Sequence, residues 1–197
     1  MIRNISIQIV EFWQKHKIIK SNNIESYYYG MELMLSTLLN MMLMIILSYS
    51  VIGQVLAFLQ YSIAYIPLRM TAGGYHASSH WKCILYTQIT FVGSILVICR
   101  IANKNLWGVI ILWVLAGVIV FRFSPIEANN KPLGKLKKKK QRFNSWIIQS
   151  IIFVIVIVEM TCGMSKTENV LYIISANISV AISMILTKIT NRMSKMY

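Results

Sequence analysis

Eleven consecutive residues carry the reactive side chains of this chain: Gly73-Gly74-Tyr75-His76-Ala77-Ser78-Ser79-His80-Trp81-Lys82-Cys83. A cysteine attacks as its thiolate, so it needs a base and nearby positive charge. His76 and His80 supply bases, and Arg69 and Lys82 supply charge. If a helix begins near Trp81, its N-terminus adds a dipole that favours an anion at Cys83. His80 lies three residues before Cys83 and would neighbour it on a helix. His76 lies seven before, about 10.5 Å away on one continuous helix. It reaches the thiol only if the chain folds back. Gly73-Gly74 and Ser78-Ser79 permit such a fold. Spacing leaves both bases open and leans to His80. A histidine and a cysteine seven apart also occur together by chance in many proteins.

The other cysteines fit this chemistry less well. Cys99 is 16 residues beyond Cys83, about 24 Å along a helix, and Cys162 is remote in sequence. Both read as packing thiols, with a disulfide between them as the alternative. The three cysteines match neither zinc-ligand spacing nor CxxC, and no GxxxxGK[ST] phosphate loop is present. The expectation is no metal and no cofactor.

These residues must be positioned by membrane-spanning elements. Of 197 residues, 56% are hydrophobic and 13% charged, about half the charge usual in a soluble domain. The 20 Lys and Arg face six Glu and no Asp, a net charge of +14. Hydrophobicity of this degree argues against nucleic acid and leaves anionic lipid or an acidic peptide as partners. The N-terminus lacks the pattern of a cleavable signal, since Lys15, Lys17 and Lys20 follow its first apolar stretch.

Apolar runs predict an all-α integral membrane protein with about six transmembrane helices, forming a single membrane domain over residues 1–197. An amphipathic segment at 1–28, with Ile2, Ile5, Ile9, Phe12 and Trp13 at near-helical spacing, would lie in the interface. A helical hairpin at 31–68 turns near Gly53-Gln54; one long tilted span or a re-entrant segment are alternatives there. The candidate catalytic loop occupies 69–83, a second hairpin 84–123, a basic loop 124–145, a third hairpin 146–187 and a basic tail 188–197. Basic loops stay in the cytoplasm. With both termini inside, 17 of the 20 Lys and Arg are cytoplasmic, leaving Arg100, Lys104 and Lys166 outside. Cys83 then sits at the inner face of the cell membrane. Glu127 and Gln88 fall near that face and are candidates to orient a catalytic histidine, although a structural role suits each better. Glu159, inside the fifth span, has no assigned role.

The segment Arg69-Met70-Thr71-Ala72-Gly73-Gly74-Tyr75-His76, six residues and Cys83 resembles the active-site segment of the accessory gene regulator protein B family. Ser124-Pro125-Ile126-Glu127-Ala128-Asn129-Asn130-Lys131-Pro132-Leu133, followed by a lysine run, resembles that family's second cytoplasmic loop. The order of elements matches over essentially the whole chain. The resemblance implies a membrane cysteine endopeptidase that removes the C-terminal tail of a quorum-sensing propeptide and promotes thiolactone or lactone closure. It implies His76 and Cys83 as the catalytic pair, overriding the lean to His80, with Arg69, Gly73 and Gly74 supporting. It also implies a substrate with an acidic tail, for which Lys131, Lys135, Lys137, Lys138, Lys139 and Lys140 would form the binding surface, and a homodimer. A membrane exporter without covalent chemistry is the alternative function, and a non-catalytic membrane scaffold a third.

Overall fold

The computed structural model describes residues 2–19, 24–75, 79–127, 134–162 and 167–193. Among them there are seven α-helices and no strand: α1 (Ile2–Lys15), α2 (Ile24–Leu47), α3 (Val55–Ala72), α4 (His80–Ala102), α5 (Leu106–Phe123), α6 (Lys135–Cys162) and α7 (Thr167–Met193). Five stretches are long and apolar enough to cross a membrane: Ile24–Ile52, Trp81–Ala102, Leu106–Phe123, Lys135–Thr161 and Asn169–Arg192. This is an all-α membrane protein. The helix α3 falls outside that set because Gln60, Tyr61, Ser62, Tyr65 and Arg69 dilute its 18 residues.

The chain divides into two compact units, residues 1–46 and 47–197. In the first, α1 buries Ser6 and Val10, with Ile2, Ile9 and Trp13 half-buried on the same stripe. Ile5 and Phe12, expected on that face, are exposed instead. His16 packs on Phe12, with ring centroids 4.2 Å apart, just past the helix end. The helix α2 starts seven residues earlier than the predicted span, so Tyr27, Tyr28 and Tyr29 lie within it.

In the second unit, a single π-helical turn at Ser48–Ile52 leads to Gly53, which takes the left-handed conformation at φ 80°. The helix breaks at the expected position, and the absence of a Cβ at Gly53 makes the conformation cheap. Buried Ser48 staples it: its Oγ donates to the Gln54 carbonyl at 2.6 Å and accepts from the Phe58 amide at 3.1 Å.

The core of this unit is α7. Its most apolar stretch is 72% buried, against 17–28% for the other four candidate spans. It packs against α3, α4, α5 and α6. Small residues make that approach possible, with Ser175, Ala176, Ser179, Ala181 and Ser183 all buried along it. Hydroxyls in an apolar interior need partners. Ser175, Ser179 and Thr187 satisfy theirs on the carbonyls of Leu171, Ser175 and Ser183, one turn back on the same helix. The helix α3 presents Ala57, Tyr61, Ala64, Leu68 and Ala72 on one buried stripe.

One polar bond ties α6 to α7 in the interior. Asn177 Nδ2 donates to Gln149 Oε1 at 2.7 Å, and both residues are fully buried. Replacing Asn177 by Ala strands the Gln149 amide. The expected loss is about 1–2 kcal/mol, since interhelical bonds in membranes average about 0.6 kcal/mol and a stranded buried group adds its own cost. A detergent unfolding titration measures it, and the double replacement Gln149→Leu/Asn177→Leu should recover much of the loss.

Candidate functional site

The helix α3 ends at Ala72, where the Gly73 amide donates to the Arg69 carbonyl at 3.2 Å. Arg69, in the last turn, then holds the departing chain. Its Nη1 donates to the Gly73 carbonyl at 2.7 Å and its Nη2 to the Tyr75 carbonyl. One planar guanidinium thus caps two carbonyls that have left the helix, which the point charge of a lysine cannot do.

The two glycines are required by geometry. Gly73 and Gly74 have φ of 77° and 136°, conformations that side chains rarely adopt. Gly73 pairs with Ile126 in an isolated bridge, and the Ile126 amide donates to the Ala72 carbonyl at 2.9 Å. A Cβ on Gly73 would collide with the Ile126 carbonyl; one on Gly74 would collide with the Arg69 guanidinium and the Ser183 hydroxyl. Ser183, from α7, accepts the Tyr75 amide at 3.0 Å. The backbone leading to His76 is therefore pinned by α3, by the segment after α5, and by α7. His76 itself lies outside the described residues.

Cys83 belongs to the first turn of α4. Ser79 is the N-cap, accepting the Lys82 amide on its Oγ at 3.4 Å, while its carbonyl takes the Cys83 amide at 3.1 Å. This is an ordinary serine cap. It places the thiol at the positive end of the helix dipole, as expected. Cys83 is half-buried with a free thiol. The helices at both ends extend further than the predicted loop boundaries: Arg69 to Ala72 belong to α3, and His80 to Cys83 belong to α4. His80 begins α4, and its side chain is outside the description. Tyr86, one turn beyond Cys83, has its ring centroid 5.3 Å from that of Tyr75. The two segments that carry the candidate pair therefore meet through these tyrosines. Cys99 is half-buried at the far end of α4. The side chain of Cys162 is outside the described residues, as is Lys131.

The predicted basic loop at 124–145 is corrected. Lys135, Lys137, Lys138, Lys139 and Lys140 form the opening turns of α6, which runs unbroken into the membrane stretch. Lysine, leucine, glutamine and arginine are good helix formers, and nothing after Gly134 interrupts them. Cations at a helix N-terminus oppose its dipole, so packing further along must hold this end. Trp146 donates its indole N–H to the Phe121 carbonyl at 3.1 Å, and Ser124 and Ser145 share a hydroxyl hydrogen bond. Glu127 pairs with Lys138 at 2.9 Å, and its carbonyl accepts from Asn191 at 2.7 Å. Those contacts commit Glu127 to this helix end. Gln88 is buried on α4. A cleft of about 480 Å³ beside Ser124-Pro125 is lined by Arg122, Lys135, Lys138, Lys139 and Arg142. It is a cationic recess suited to carboxylates.

Sequence reasoning missed Tyr75, Tyr86, Ile126 and Ser183 as parts of this arrangement. The sequence offers a partial signal only for Ser183, which continues the four-residue spacing of Ser175 and Ser179.

Gly74→Ala is expected to displace the Arg69 guanidinium and free residues 73–75, seen as faster protease nicking there in the membrane-inserted protein. Arg69→Lys should produce the same change to a smaller extent.

Comparison with known proteins follows the same lines. The family model for accessory gene regulator B matches residues 6–189. An AgrB-like protein of Clostridium perfringens (strain 13 / Type A) is 30% identical over 149 residues, covering 72% of this chain and 68% of that protein. No solved structure matches. A model match across nearly the full length, on a multi-helix membrane fold, places this chain in the accessory gene regulator B family of membrane proteins involved in quorum-sensing peptide processing.

Proposed function

We propose that the chain is a membrane cysteine endopeptidase that cuts a quorum-sensing propeptide at its ring-to-tail junction, with Cys83 as nucleophile and His76 as base. The observation that carries this reading is Cys83 in the first turn of α4, whose Tyr86 packs against Tyr75 at the end of the clamped glycine segment that leads to His76. In this reading α3 crosses the membrane with the five long apolar helices, both termini are cytoplasmic, and the site faces the cytoplasm, as the distribution of Lys and Arg favours.

The chemistry balances without a cofactor. His76 takes the Cys83 proton, and Sγ attacks the scissile carbonyl. The C–N bond breaks, and the tail leaves as an amine protonated by His76. The remaining thioester conserves the energy of the cleaved bond, so a thiol or hydroxyl within the peptide can displace Cys83 and close the ring without ATP. Backbone N–H groups near Cys83 are candidate oxyanion donors. The cationic recess beside Ser124-Pro125, with the lysines of α6, would draw in an acidic tail.

Co-expression with the propeptide tests the assignment. Cys83→Ser and His76→Ala should each abolish tail removal, while His80→Ala should retain most of it. Loss in His80→Ala with retention in His76→Ala would reverse the choice of base. Cleavage by Cys83→Ser would favour an exporter without covalent chemistry.

Replacing Lys135, Lys137, Lys139 and Lys140 by Gln is expected to slow processing about tenfold or more at low salt, with the gap narrowing as salt screens the charge. Equal rates at all salt concentrations, with normal insertion, would remove these lysines from substrate capture.

A further inference from the structure

A second recess lies on the other side of Glu127, at the ends of α5, α6 and α7. Its mouth, about 480 Å³, is lined by Glu127, Lys138, Lys188, Asn191 and Arg192 around Phe123 and Ile126. Phe123, Ile126 and Lys188 also line an adjoining apolar recess of about 200 Å³, which continues along the helices past Ile119, Met184, Ile185 and Ile189. The two form one groove with a charged end and an oily end.

Charge and exposure indicate what such a groove would hold. Lys138 is matched by Glu127 at 2.9 Å. Lys188 lies over the Phe123 ring, 3.7 Å from its centroid, and neither Lys188 nor Arg192 has a carboxylate partner among the described residues. Among the described residues the mouth therefore carries two positive charges in excess. Arg192 alone could be explained as a cation at a helix C-terminus, but Lys188 sits a turn earlier and has no such account. On α7, Ile185, Lys188, Ile189 and Arg192 share one exposed stripe at three- and four-residue spacing. Ile185 and Ile189 are 42% and 49% exposed, and Phe123 on the opposing wall is 39% exposed. Both walls belong to membrane-crossing stretches, so the oily end opens toward acyl chains, while the cations lie at the helix ends where headgroups are found.

We propose that this groove binds one anionic phospholipid, its phosphate held by Lys188 and Arg192 and an acyl chain lying along Ile119, Ile185 and Ile189. An acidic peptide would answer the charge but leave the apolar half of the groove unused. A free phosphate would do the same. The proposal does not rest on the proposed peptide cleavage, although the mouth shares Lys138 and Phe123 with the cationic recess. The groove's lining includes Ile126, which bridges Gly73.

The test is native mass spectrometry of the full chain released from nanodiscs of mixed phosphatidylglycerol and phosphatidylcholine with matched acyl chains. Wild type should retain one phosphatidylglycerol and little phosphatidylcholine. Lys188→Gln/Arg192→Gln should lower that retention at least tenfold, and Ile185→Trp, which fills the oily end but keeps the cations, should also lower it. Inorganic phosphate should not displace the lipid. Equal retention of both lipids, or unchanged retention in both variants, would overturn the proposal. So would displacement of the lipid by inorganic phosphate or by a synthetic acidic peptide at equal concentration, the latter indicating a peptide site.

Discussion

The guanidinium of Arg69 is the contact on which the candidate site depends. A helix that ends inside a membrane protein leaves carbonyls without donors, and a chain that turns on two glycines has little stiffness of its own. The Gly73 and Ile126 amides answer the first need at the Arg69 and Ala72 carbonyls, and the Arg69 side chain answers the second by donating to Gly73 and Tyr75 at once. The geometry that lets it do so excludes any side chain at Gly74. Arginine and glycine are therefore one device, with each identity explained by the other.

Around that device the bundle is organised by its most buried helix. In lipid there is little hydrophobic drive between helices, so close packing and internal hydrogen bonds must supply the association. The small, hydroxyl-bearing face of α7 does this by bonding to its own carbonyls and presenting a smooth apolar surface. Ser183 is the exception on that face, since its oxygen accepts the amide of Tyr75. The same periodic pattern that builds the core thus gives up one member to the site.

Much of this was legible in the sequence. Apolar runs located the helices, Gly53 marked the break after α2, and a helix start near Trp81 was expected ahead of Cys83. What was not legible depended on contacts far apart in the chain. Nothing local in Ile126 or Ser183 foretells contact with residues 73–75, because such partners are fixed by tertiary packing. The lysine run misled for a physical reason. Charge density suggests a solvated loop, but helix propensity acts on the backbone, and these long side chains extend into water while the helix continues. The face of α1 was drawn too widely, since apolar spacing alone could not distinguish the buried stripe of Ser6 and Val10 from exposed Ile5 and Phe12.

The anchoring of Tyr75 by Ser183 also bears on the order of synthesis. Ser183 lies more than a hundred residues downstream, on α7, which is made well after α3 and α4. Until that helix is threaded between its neighbours, the glycine segment lacks one of its three anchors. A nascent chain would carry its cysteine for most of translation without the completed backbone around it. Docking of α7 thus sets the moment at which the glycine segment gains its third anchor.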